Sequence, residues 1–243
     1  MRKMAVREFQ FAVNALLALG ICVAFSCSSQ AQNQELQERI AEAKEAAARN
    51  KQALAQYTWV EQVTISLKGE EKKQEHFQVR LGPDGKPLKQ SLDPPAAPPE
   101  HEGRLKKHII EKKTEEYKEY ADQIKDLIQQ YVPPERELLQ QAYEKGNIML
   151  GPQPGAPGQY RLVISNYIKP GDSMTLVIDR SQKELLSVSI ATYLDDPKDA
   201  VNVTASFAGI PGGPNHVSGE TINGVSKQLT IAIQNSNYER LGS

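Results

Sequence analysis

With 243 residues, 39% of them apolar and 24% charged, this chain is long enough to bury a sizeable core. A formal net charge of −1 excludes the strongly basic balance that nucleic-acid binding needs. The cysteine usage excludes a disulfide framework, because Cys22 and Cys27 are the only two and lie together near the N-terminus.

Met1 to Ala31 reads as an export signal. Arg2, Lys3 and Arg7 form a positive start, Phe11 to Phe25 is apolar apart from Asn14, and the small residues Ser28, Ser29 and Ala31 follow. Cleavage after Ala31 releases a soluble chain beginning at Gln32. The alternative is a lipoprotein signal ending before Cys27, which follows Ser26; lipidation at Cys27 is the one route by which the chain is expected to associate with a membrane. The apolar run is shorter than the ~20 residues of a bilayer span. The expected location is therefore periplasmic, outer-membrane-associated or secreted. Residues 32–243 are expected to form a single domain, carrying 26 basic and 29 acidic residues and a charge of about −3.

Past the signal, Gln34 to Gln56 is rich in Glu, Lys, Ala and Gln, with Leu36, Ile40, Ala43, Ala47 and Leu54 near helical spacing. The spacing predicts one long helix with a thin apolar stripe, suited to lying on a sheet. The period then changes to two. Tyr57, Trp59, Val63, Ile65 and Leu67 alternate with polar residues as a half-buried strand, Gly69-Glu70 turns the chain, and Phe77, Val79 and Leu81 form the return strand. Gly82 to Pro87 reads as a further turn.

Asp93 to Gly103 has four prolines and no periodicity and reads as a linker. From Arg104 to Tyr131, Leu105, Ile109, Tyr117, Tyr120, Ile124, Leu127, Ile128 and Tyr131 predict a long amphipathic helix. Pro133-Pro134 ends it and opens a shorter helix through Tyr143, closed near Gly146. Residues 104–146 are thus a charged helical hairpin inserted between strands. After Gly158 the predicted strands are Gln159 to Lys169, Ser173 to Asp179, Glu184 to Tyr193, Ala200 to Phe207, Val217 to Ile222 and Val225 to Gln234. Asn223-Gly224 is the sharpest turn signal among them, as a type I′ hairpin needs positive φ at both positions. The short turns make this an antiparallel meander that must curl into a barrel or half-barrel to limit its open edges. The fold class is α+β: a curved antiparallel sheet with an N-terminal helix and an inserted helical hairpin.

Few residues point to chemistry. His76, His101, His108 and His216 each stand alone, with no nucleophile elbow or Ser-x-x-Lys pair, so no catalytic residue is assigned. Zinc-ligand spacings are absent, and no metal or cofactor is assigned. Asp195, Asp196 and Asp199 could gather around calcium, but Asp-Asp-Pro-Lys-Asp is also a turn in which carboxylates cap backbone N–H groups, and the turn is the preferred reading. The lysines at 106, 107, 112 and 113 are offset by nearby glutamates, a solvated helix face. Trp59, the single tryptophan, packs in the core or lines an apolar pocket. Glu61 shares its strand face, so it sits at the rim or needs a partner.

This order of elements, a long N-terminal helix, a hairpin, a helical insertion and a strand meander behind an export signal, resembles the periplasmic lipoprotein-carrier (LolA/LolB-like) superfamily. The resemblance implies an unclosed barrel whose helices plug its mouth, with an acyl chain held between them. Gln56-Tyr57-Thr58-Trp59 and Tyr193-Leu194-Asp195-Asp196-Pro197 are also similar to stretches of uncharacterised secreted bacterial proteins. The long charged insertion departs from the carrier pattern.

The expected function is that of an exported, non-enzymatic envelope protein binding a lipid, a lipoprotein acyl chain or another apolar ligand in a half-barrel cleft. The cleft would be lined by Trp59, Val63, Ile65, Phe77, Val79, Ile190 and Phe207. The alternative is a structural or protein-interaction module that meets an envelope partner through the charged hairpin.

Overall fold

In the computed structural model, residues 48–94, 104–182 and 184–242 are described, with the backbone alone over 104–112. The predicted export signal, Cys27 and most of the first predicted helix lie outside the described residues. Residues 48–54 are the described part of helix α1. It is followed by β1 (Tyr57–Leu67), β2 (Glu70–Leu81), β3 (Pro87–Ser91), α2 (Arg104–Gln129), α3 (Arg136–Glu144) and β4 (Ile148–Pro152). The meander is β5 (Gln159–Ser165), β6 (Ser173–Asp179), β7 (Leu185–Tyr193), β8 (Ala200–Gly209), β9 (Asn215–Gly224) and β10 (Leu229–Arg240).

All ten strands belong to one sheet, in the order β3-β2-β1-β10-β9-β8-β7-β6-β5-β4, and every neighbouring pair is antiparallel. The edge strands β3 and β4 do not pair, so the curved sheet is open, the α+β half-barrel expected from the sequence. Among the described residues no helix is long and apolar enough to cross a membrane.

The topology explains the inserted hairpin. Strands β3 and β4 follow one another in sequence yet form opposite edges of the sheet. The chain between them must pass from one edge of the curved sheet to the other, a path of up to roughly 40 Å measured along the sheet at the usual strand spacing. Helix α2, with 26 residues, is about 39 Å long. Its apolar stripe, Tyr120, Ala121, Ile124, Leu127 and Ile128, and Tyr131 just past its end are buried to 5% exposure or less in the same core as the inward residues of the sheet.

Two strands are absent from the sequence reading. β3 and β4 have five residues each and lie at the edges, where a strand needs only one paired side and shows weak alternation. The Asn-Gly turn is a correction. Asn223 and Gly224 lie inside β9, paired to Thr230 and Leu229 of β10, and the chain reverses over residues 225–228, with Gln228 at φ 50°. The first hairpin turns on Lys68 and Gly69, both at positive φ, one residue before the expected position.

Candidate functional site

Side chains that face one another across paired strands share a face, so the register defines the inner surface. One row runs Val63, Ile233, Glu220, Ala205, Val188, Leu176 and Leu162; the next runs Ile65, Ile231, Ile222, Val203, Ile190, Met174 and Ile164. Every member except Glu220 is apolar, and all are buried.

The seven residues expected to line a cleft all lie in this core: Trp59, Val63, Ile65, Phe77, Val79, Ile190 and Phe207 are each at most 8% exposed. The first five stand together on β1 and β2, whereas Ile190 and Phe207 lie on β7 and β8, several strands away.

Beside the first group is a buried ionic cluster. Glu61 has no exposed surface, and its partner is Lys89, which reaches from β3 across β2 to donate from Nζ to Glu61 Oε1. Phe77 lies below that ammonium, its ring centre 5.6 Å from Nζ. Glu220 of β9 is 4% exposed and close enough to Glu61 and Lys89 to feel both charges. Burial, chiefly, and then the Glu61 charge push the Glu220 carboxyl up to about 8, with Lys89 acting against them. Glu61 is also raised by burial, with Lys89 opposing.

Aromatic rings flank the cluster. Trp59 stacks on Tyr238 with centroids 5.6 Å apart, and the His216 ring lies 4.0 Å from that of Tyr238. Burial lowers the His216 pKa and raises that of Tyr238, so both are neutral at neutral pH. Here the sheet also parts. The β9–β10 ladder ends at Gly219 and Gln234; beyond it the Asn235 amide and the Tyr238 hydroxyl donate to the Val217 carbonyl, at 2.9 and 3.3 Å.

This region leaves buried polar atoms without a partner: Trp59 Nε1, Glu61 Oε2, Glu220 Oε1, His216 Nδ1 and Asn235 Oδ1. Interiors rarely tolerate such atoms, since each costs about 1–3 kcal/mol when unmet. Glu61 was legible as an inward carboxylate needing a partner. Lys89 was not, because it stands on a strand with no sequence signal, and Glu220 was detectable only as a charge at the inward phase of β9.

A different buried network holds the far end of the sheet. Asp172 accepts from the backbone N–H groups of Tyr167, Ile168 and Lys169 and from the Tyr131 hydroxyl, which also bonds Thr192. The Tyr167 hydroxyl accepts from the Glu135 N–H, and burial pushes its pKa up to about 12. With every Asp172 contact of this kind made inside the fold, the network docks the end of α2 on the β5–β6 turn. At the Asp195–Asp199 turn, Asp196 accepts from the Lys198 N–H and Asp199 from the Tyr120 hydroxyl, the geometry of a turn that also pins α2. His76 is paired with Asp93 at 3.0 Å on the surface.

A surface cleft of about 450 Å³ lies between α1, the start of β1 and the β8–β9 loop, bordered by Arg49, Asn50, Tyr57, Gly213 and Arg240. It shares no residue with the ionic cluster.

No family model matches this sequence, and no curated protein matches it. Two solved structures are similar. One is a LolA superfamily protein from Nitrosomonas europaea, 8% identical, with a TM-score of 0.35 over 81% of this chain and 91% of that one. The other is a DUF1329 family protein from Desulfovibrio piger, 10% identical, with a TM-score of 0.35 over 79% of this chain and 89% of that one. Neither likeness assigns a function to this chain.

Proposed function

We propose that this protein is an exported, non-enzymatic binding protein of the cell envelope whose half-barrel face takes a lipid or another apolar ligand bearing a polar head. The observation that carries the reading is the set of unmet polar atoms of Glu61, Glu220, Asn235, His216 and Trp59 beside an otherwise apolar face. A face built only to be a core gains from replacing such groups with apolar ones. A face that receives an amphipathic ligand needs them as its polar end.

The placement of the helices fits this reading. The hydrogen bonds that pin α2 involve Asp199, Ser226, Asp172 and Thr192, toward one end of the strands. Glu220 lies four residues up β9 from Gly224, about 13 Å away, toward the end where β9 and β10 part. The unmet atoms therefore lie away from the hydrogen bonds that dock α2. Export rests on the composition of Met1 to Ala31.

Native mass spectrometry of the protein purified from its own envelope tests the proposal. The expected result is a chain beginning at Gln32 or acylated at Cys27, with a co-purified amphipathic molecule. A ligand-free chain that also fails to bind any fluorescent lipid overturns it.

A further inference from the structure

The unmet atoms are unequal in kind. Glu61 Oε2, Glu220 Oε1 and Asn235 Oδ1 accept hydrogen bonds, whereas Trp59 Nε1 is the one obligate donor in the set. The region is short of donors, and its two carboxyl groups, Glu61 and Glu220, stand near one ammonium, that of Lys89, so only one of them has a counter-charge. The chain already shows what such a region accepts, because Lys89 seats its own Nζ on Glu61, above the Phe77 ring.

Resting on the binding role above, we infer that the head group taken at this site is a primary ammonium, held by Glu220 and the free oxygen of Glu61. An ammonium brings three donors to the unpartnered acceptors and one positive charge, the counter-charge that Glu220 lacks and that favours its ionisation. A ligand headed by a carboxylate or phosphate brings further acceptors beside Glu61 and gives Glu220 no counter-charge, so it is disfavoured.

Binding has a proton signature. In the empty site burial keeps Glu220 protonated at neutral pH, with Glu61, Lys89, His216 and Tyr238 as the titratable groups around it. An arriving ammonium favours the carboxylate, so the Glu220 proton leaves to solvent as the ammonium–carboxylate pair forms.

Three probes of equal chain length, dodecylamine, dodecanol and dodecanoic acid, are titrated below their aggregation concentrations at pH 7, with Trp59 emission as the readout. The expected result is that the amine binds at least tenfold more tightly than the acid, with release of close to one proton measured by calorimetry in buffers of different ionisation enthalpy. Glu220→Gln is expected to abolish both the proton release and the advantage of the amine over the alcohol. Equal binding of all three probes leaves the binding role standing and overturns the ammonium site. An amine advantage that survives in Glu220→Gln, or amine binding without proton release by the native chain, overturns it too. Failure of all three to bind overturns the binding role itself.

Discussion

Gly224 lies directly under Tyr120. A Cβ added at Gly224 would fall 2.5 Å from Tyr120 Cε1 and 2.8 Å from Ile124 Cδ1, closer than packed atoms approach. The glycine that reads as half of a hairpin turn serves instead as the place where helix α2 comes down onto the sheet. Gly224→Ala forces that helix up and is expected to cost about 1–3 kcal/mol, read as a lower urea midpoint.

The Glu61–Lys89 pair is buried on both sides, with side chains 0% and 2% exposed. Lys89→Met removes the cation and leaves a carboxylate stranded, an expected loss of about 3–5 kcal/mol. Adding Glu61→Gln to that variant removes the stranded charge, so the double variant is expected to recover most of the loss. A double-mutant cycle by chemical denaturation checks this, and additive losses would show that the two do not interact.

Stability is expected to fall with rising pH across the titration range of Glu220. Its folded pKa of about 8 stands above the ordinary 4.5 of an unfolded chain. Between those values the unfolded state has released the proton and the folded state retains it, so each rise in pH favours unfolding. One such group gives a slope of up to about 1.4 kcal/mol per pH unit, which flattens above the folded pKa. Glu220→Gln is expected to have the shallower profile and the higher stability near pH 8, with part of the slope left to Glu61, also raised by burial. Urea midpoints measured from about pH 5 to about pH 9 decide it.

Tyr131 joins α2 to the β5–β6 turn through one hydroxyl, 2.6 Å from both Asp172 Oδ2 and Thr192 Oγ1. Tyr131→Phe keeps the ring and deletes those bonds. The expected loss is about 1–2 kcal/mol, together with faster amide exchange in the last turns of α2 than in β7 and β8.

Where local pattern suffices, the sequence reading and the structure coincide. The alternation from Tyr57 to Leu67 is β1, the stretch from Ser173 to Asp179 is β6, and the periodic apolar residues after Arg104 form α2. Sheet edges and turns behave differently. β3 and β4 are too short and too weakly patterned to announce themselves, and Asn223-Gly224 follows a packing demand imposed by a helix about a hundred residues earlier in the chain. At the candidate site the sequence pointed to Trp59 and left Glu61 in search of a partner, which β3 supplies.

What the sequence determined by itself is the α+β class and the inward phase of each long strand, because composition and periodicity are properties of contiguous residues. Only the tertiary structure decided that β3 and β4 close opposite edges, that the charged insertion must span the sheet between them, and that Glu61, Lys89 and Glu220 share one buried region. Those relationships join residues distant in sequence through strand order, and strand order is set by which faces and edges find cover, a condition that no local stretch of chain contains.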